Sequence, residues 1–179
     1  MLTPHDILGE GQKIAKRLET YEHRPQQLEM ADAVANAIAS KRHLVAEAGT
    51  GVGKSFGYLV PAILSLAANQ QSKTETKKRI VVSTHTISLQ EQLIEKDVPF
   101  LNSVIPLEFS AVLAKGRANY VSLRRLRDAA VQGKTVFASE EEIGQIPMLQ
   151  KWAKDSPDGS RSDLSVSYTH LTLPTIYSV

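Results

Sequence analysis

The sequence predicts an α/β fold in which a parallel sheet is covered by helices on both faces. Two observations carry that prediction. Short apolar runs alternate with helix-length patterns through most of the chain. One such run, His43 to Ala48, enters a helix through the glycine-rich turn EAGTGVGKS, Glu47 to Ser55.

The elements follow in order. Ile14, Leu18 and Tyr21, with Lys and Glu between them, predict a helix over 7–21, weakened at its start by Gly9 and Gly11. Pro25 suits a first helical turn and opens a second helix to Ala39, whose apolar side is marked by Leu28, Met30, Val34, Ala37 and Ile38. After the first strand and the turn, Lys54 to Ala67 reads as a largely buried helix on Tyr58, Ile63, Leu64 and Leu66, despite Pro61. Asn69 to Arg79 is polar, Lys-rich and aperiodic, which predicts a solvated loop. RIVVS, Arg79 to Ser83, is a second strand; Thr86 to Glu95 is a helix ending in a break at Pro99. Ser110 to Leu113 offers a third strand, followed by a basic helix over Gly116 to Val131. In that helix Tyr120, Leu123, Leu126 and Ala130 are expected inward, and Arg124, Arg125 and Arg127 outward. From Ser139 the pattern loosens: Glu140 to Glu142 start a helix, Trp152 anchors another, and Asp155 to Ser162 is turn-rich.

Composition excludes several classes. The 179 residues suit one domain with a substantial core. Twenty-one basic against nineteen acidic residues give a net charge of +2, so bulk charge does not announce a nucleic-acid binder. The absence of cysteine removes disulfides and thiolate metal sites. His5, His23, His43, His85 and His170 show no metal-ligand spacing with carboxylates. No apolar stretch is long enough for a bilayer and the N-terminus lacks a signal-peptide pattern, so the expected location is cytoplasmic, with no membrane partner.

The turn carries the chemistry. Gly49, Gly51 and Gly53 admit backbone angles that let successive N–H groups, those of Ala48, Thr50 and Val52 among their neighbours, converge on phosphate oxygens. The following helix adds its positive N-terminal end. Lys54 is the mobile charge for the β- and γ-phosphates and the residue whose loss should hurt catalysis most; the Ser55 hydroxyl is the expected Mg²⁺ ligand. ATP with Mg²⁺ is the predicted cofactor pair. Ala48 stands where the strict signature has glycine.

Several blocks resemble one family, the DinG and XPD group of superfamily 2 DNA helicases. The resemblance runs from about Tyr21 to Leu164. It implies a recA-like P-loop NTPase sheet, incomplete here, with residues 1–20 as a helical lead-in, 21–164 as a partial ATP-binding domain and 165–179 as a tail. YEHRPQQLEM resembles the block that places a glutamine against adenine, and Gln27 is the matching position; an amide can meet adenine's donor and acceptor together. EAGTGVGKS resembles motif I, in which Ala at the first position is normal. VVSTHTISLQEQLIEKDVPFL resembles motif Ia, which implies that Thr84, Thr86 and Gln90 touch the backbone of single-stranded DNA. KGRANYVSLRRL resembles a KGRxNYxC block whose cysteine ligates an iron–sulfur cluster; Ser122 occupies that position here, which implies the clusterless branch.

The family's DEAH block and second recA-like domain are not found in the sequence. The acidic run Glu140 to Glu142 follows no strand, and Asp97 falls within the motif Ia block instead. SYTHLTLPTIYSV after Leu164 is similar to translated adaptor read-through, so the chain reads as the first part of a longer helicase with a foreign tail. Relatives imply 5′ to 3′ movement, and for this piece alone weak nucleotide binding with negligible turnover is expected. Two rival readings use the same residues: a P-loop small-molecule kinase, and a non-catalytic nucleic-acid-binding fragment.

Overall fold

The computed structural model describes residues 2–18, 20–70, 79–136 and 140–164. The chain divides into two compact units, Met1–Leu113 and Ala114–Val179. The predicted tail 165–179 and most of the predicted loop 69–79 lie outside the described residues.

In the first unit the expected helix over 7–21 is two short ones, α1 (Pro4–Leu8) and α2 (Lys13–Arg17). Gly9 ends α1 in an extended conformation while its N–H still reaches the His5 carbonyl at 2.8 Å. Thr3 and Asp6 form a reciprocal capping box at the start of α1. α3 (Pro25–Ser40) follows, with Pro25 in its first turn, and α4 (Lys54–Gln70) starts directly after the glycine-rich turn. α3 and α4 lie close together: a Cβ on Gly57 would come within 3.2 Å of the Met30 sulfur. α4 carries Pro61 in its interior and buries Leu59, Val60, Ala62 and Ile63.

Thr86 caps α5 (Ile87–Gln92), which runs on through a π-helical turn, Leu93–Asp97, into α6 (Val98–Val104). The predicted break at Pro99 is absent. In the π turn the Val98 N–H bonds the Leu93 carbonyl five residues back, and Pro99 then falls in the first turn of α6, where its missing N–H and its ring are accommodated. Ile7, Leu8, Ile14, Ala31, Val60, Ile63, Leu93, Leu101 and Ile105 form one apolar core across these helices. Each fully buried aliphatic side chain contributes about 1.5–3 kcal/mol of transfer free energy.

In the second unit the basic helix begins later than predicted. Arg117–Asn119 form a 3₁₀ turn, Tyr120 makes an isolated antiparallel bridge with Ser160, and α7 is Leu123–Val136. The Ser122 hydroxyl accepts the Arg125 N–H at 3.4 Å at the start of α7. Leu126 and Ala129 point inward; Leu123 and Ala130, expected there, are exposed, as are Arg124, Arg125 and Arg127. The inward stripe is set by α8 (Glu140–Asp155), a single helix through Pro147, which supplies Ile146 and Leu149 against Leu126.

Among the described residues no strand ladder is present. His43 to Ala48, Arg79 to Ser83 and Ser110 to Leu113 carry no regular secondary structure, and Val45, Val81 and Val112 are 97%, 89% and 89% exposed.

Candidate nucleotide-binding site

The site is built at the joint between the first apolar run and α4. Gly51 and Gly53 have φ of 84° and 83°, a left-handed conformation that side chains with a Cβ resist, and together they turn the chain into the helix. At Gly49 and Gly51 an added Cβ would meet nothing within 4 Å, so open space lies over the loop there. At Gly53 it would lie 2.0 Å from the Gln27 Nε2. Gly53 is therefore needed both for its backbone angle and for this approach.

Four donors hold the loop by its carbonyls. The Lys54 Nζ donates to Ala48 O at 3.0 Å and Gly49 O at 2.7 Å. The Arg24 guanidinium donates to Gly51 O and also pairs with Glu22 at 3.2 Å. The Gln27 Nε2 donates to Gly53 O at 2.8 Å, as does the Gly57 N–H at 3.2 Å. None of these bonds spends an N–H of the loop itself. Thr50 is exposed and Val52 half-buried within the same turn.

Gln27, the predicted adenine reader, is only 3% exposed. Its Oε1 accepts the Tyr21 hydroxyl at 3.1 Å, and that hydroxyl also reaches Leu8 O at 2.8 Å. One amide hydrogen and one lone pair of Gln27 are left over by these bonds. Burial raises the Tyr21 phenol above its ordinary pKa of 10.0, opposed by the nearby Arg24 charge. The structure thus places Gln27 beneath the loop and adds Tyr21 and Arg24, to which sequence reasoning had assigned no role. Their signal was available in the YEHRPQQ block, which sets an aromatic, a cation and an amide around the helix-opening Pro25.

Ser55, in the first turn of α4, lies beside Tyr58 and Asp97. Burial pushes the Asp97 carboxyl above 3.8, while the Ser55 hydroxyl, the Gln92 amide and the Lys96 charge pull it back. Burial likewise raises Tyr58, with Ser55 opposing and the Asp97 charge adding to the rise. The Asp97 Oδ2 is buried with no hydrogen-bond partner. This proximity to Ser55 was invisible in sequence because the two residues are joined only through the packing of the π turn on α4.

The predicted DNA-contact residues gather at the start of α5. The Thr84 hydroxyl donates to Thr86 O at 3.2 Å. The Thr86 oxygen accepts the Leu89 N–H at 3.3 Å, which spends a lone pair and leaves its O–H able to donate. Thr86 is exposed, whereas Gln90 is half-buried with an Oε1 that is enclosed and unpaired.

Comparisons with known proteins bear on the same residues. The family model for "DEAD/DEAH box helicase" matches residues 25–151. The chain is 34% identical over 154 residues to "ATP-dependent DNA helicase YoaA" of Haemophilus influenzae, covering 86% of this chain and 22% of that protein. It is 33% identical over 157 residues to the Escherichia coli protein of the same name, covering 88% and 22%. It is also 35% identical over 156 residues to "ATP-dependent helicase DinG" of Mycobacterium tuberculosis, covering 79% and 22%. The chain therefore spans about a fifth of the length of these relatives. No solved structure matches it. With the match covering the glycine-rich turn, the Gln27 helix and the α5 segment alike, the chain belongs to the DEAD/DEAH box helicase family.

Proposed function

We propose that residues 21–164 form the nucleotide-binding part of a DinG-like ATP-dependent DNA helicase, with residues 1–20 as its lead-in. The observation that carries this reading is the loop geometry: two left-handed glycines set the turn into α4, its carbonyls are held by Arg24, Gln27 and Lys54, and its N–H groups are spent on none of those bonds. Such a turn offers converging amides and a helix N-terminus to an anion.

The residues fit ATP and Mg²⁺. Open space over Gly49 and Gly51 admits phosphate oxygens close to the backbone. Lys54 exchanges two neutral carbonyls for phosphate, a stronger charge-assisted partner. Ser55 supplies a hard oxygen of the kind Mg²⁺ takes beside phosphates and waters. The bound ion supplies charge neutralisation across the phosphates. Gln27 keeps one donor and one acceptor position for the adenine edge, and its bond to Gly53 ties base recognition to the loop.

The whole enzyme, on this reading, couples hydrolysis to movement along single-stranded DNA in the cytoplasm, with Thr84, Thr86 and Gln90 near the DNA backbone. His43–Ala48, Arg79–Ser83 and Ser110–Leu113 are then strands of its parallel sheet. The 179 residues alone bind nucleotide weakly and turn over little. Calorimetry with Mg·ADP tests the core of the reading: binding by the native chain and its loss in Lys54→Ala, with an unchanged circular dichroism spectrum, are expected. A folded native chain that takes up neither Mg·ADP nor Mg·ATP would overturn it.

A further inference from the structure

The sequence gives Asp97 no obvious task, yet the π turn carries its carboxyl inward to the side of Ser55. Two neighbours fix that arrangement. Phe56, next to Ser55, stacks on Phe100, three residues past Asp97, with ring centroids 5.6 Å apart and planes 13° from parallel. Leu93, at the start of the same turn, is buried in the core of the unit. π turns of this kind insert one extra residue and re-aim the side chains around it, which is why they recur at functional sites.

The Asp97 Oδ2 is enclosed and makes no hydrogen bond. An acceptor left unfilled in a buried place is costly, so its retention calls for a partner. The Ser55 hydroxyl is the nearest chemistry that changes when a metal nucleotide arrives. A hydroxyl has one hydrogen and two lone pairs. Coordination through a lone pair draws electron density from the O–H bond, strengthens it as a donor and demands a strong acceptor behind it. A carboxylate is the strongest acceptor a protein offers, and partners of this kind orient metal ligands elsewhere.

We propose that Asp97 is a positioning residue for Ser55: its buried carboxylate receives the hydroxyl hydrogen and so holds the hydroxyl lone pairs toward Mg²⁺ when the metal nucleotide binds. The proposal rests on the nucleotide reading of the loop and adds to it a residue from a different helix. It accounts for the orphaned oxygen, for the π turn that delivers it, and for the aromatic pair that clamps the two helices at this point.

The test measures affinity for ADP carrying a fluorescent N-methylanthraniloyl label, with and without Mg²⁺, on the 179-residue chain. The readout is the factor by which Mg²⁺ tightens binding. Asp97→Ala should cut that factor about ten-fold while changing metal-free affinity by less than about two-fold. In a Ser55→Ala background the same substitution should cost nothing further, since the hydroxyl it positions is gone. Asp97→Asn, which keeps the shape and one acceptor oxygen, should fall between the native chain and Asp97→Ala. Should Asp97→Ala fail to fold by circular dichroism, Asp97→Asn decides alone, with a reduced Mg²⁺ factor expected. A native-like Mg²⁺ factor in a folded Asp97 variant, or an equal loss with and without Ser55, overturns the positioning role and leaves the nucleotide reading standing. A native chain that binds no labelled ADP removes both.

Discussion

At the scale of single residues, the loop separates glycines that look alike in sequence. Gly53 combines a φ of 83° with a Cβ position 2.0 Å from Gln27 Nε2, whereas Gly49 has neither a positive φ nor a neighbour within 4 Å. Gly53→Ala should therefore lose roughly 1–3 kcal/mol of stability by chemical denaturation, and nucleotide affinity with it. Gly49→Ala should stay within about 0.5 kcal/mol of the native chain. At the N-terminus, the Thr3 backbone and hydroxyl bonds hold the Asp6 carboxyl below 3.8. A depressed carboxyl stabilises the fold above its unfolded value and loses that stabilisation as pH falls through its folded value. Thermal melts of Thr3→Ala should thus lie below those of the native chain at neutral pH, with the gap closing below 3.8. A gap that persists unchanged into acid would show that the cap acts without the carboxylate.

At the scale of elements, breaks and caps decide where helices start and stop. α3 ends on Lys41 at φ 54°, a left-handed residue whose N–H reaches Ala37 O and Ile38 O. A side chain there costs roughly 1–2 kcal/mol, while glycine forfeits part of that gain through its freer unfolded chain. Lys41→Gly should raise stability by a net ~0.5–1 kcal/mol in urea melts. The helices at Pro25 and after Gly53 were legible from local chemistry: a ring suited to the first turn and a glycine turn that forces the chain into α4. The course past Pro99 was not, because proline taken alone reads as a break. Only the π turn, stabilised by Leu93 in the core and Phe100 on Phe56, shows how the helix passes it. The division of α1 from α2 was half visible: Gly9 and Gly11 flagged the weakness, but the turn itself depends on Ile7, Leu8 and Ile14 all reaching one core.

At the scale of the whole molecule, membership in the DEAD/DEAH box helicase family implies a P-loop NTPase fold. Among the described residues the three predicted strand segments form no ladder, and their valines face solvent. Exposed apolar runs with unspent backbone groups pair readily with other chains. The purified chain should therefore self-associate as concentration rises in sedimentation velocity runs, and Val45→Lys, Val81→Lys and Val112→Lys together should suppress this. Concentration-independent sedimentation of the unmodified chain would refute it.

The sequence by itself determined the phosphate loop, because glycine, lysine and serine at that spacing meet a requirement that is local to a single turn. It also determined the order of helices and apolar runs, which is set by periodicity within each segment. Tertiary structure alone decided that Gln27, Arg24 and Tyr21 support the loop from beneath and that Asp97 lies beside Ser55. Those relations depend on helices far apart in the chain burying a common core, and the spacing of residues along one helix carries no record of which neighbour it will meet.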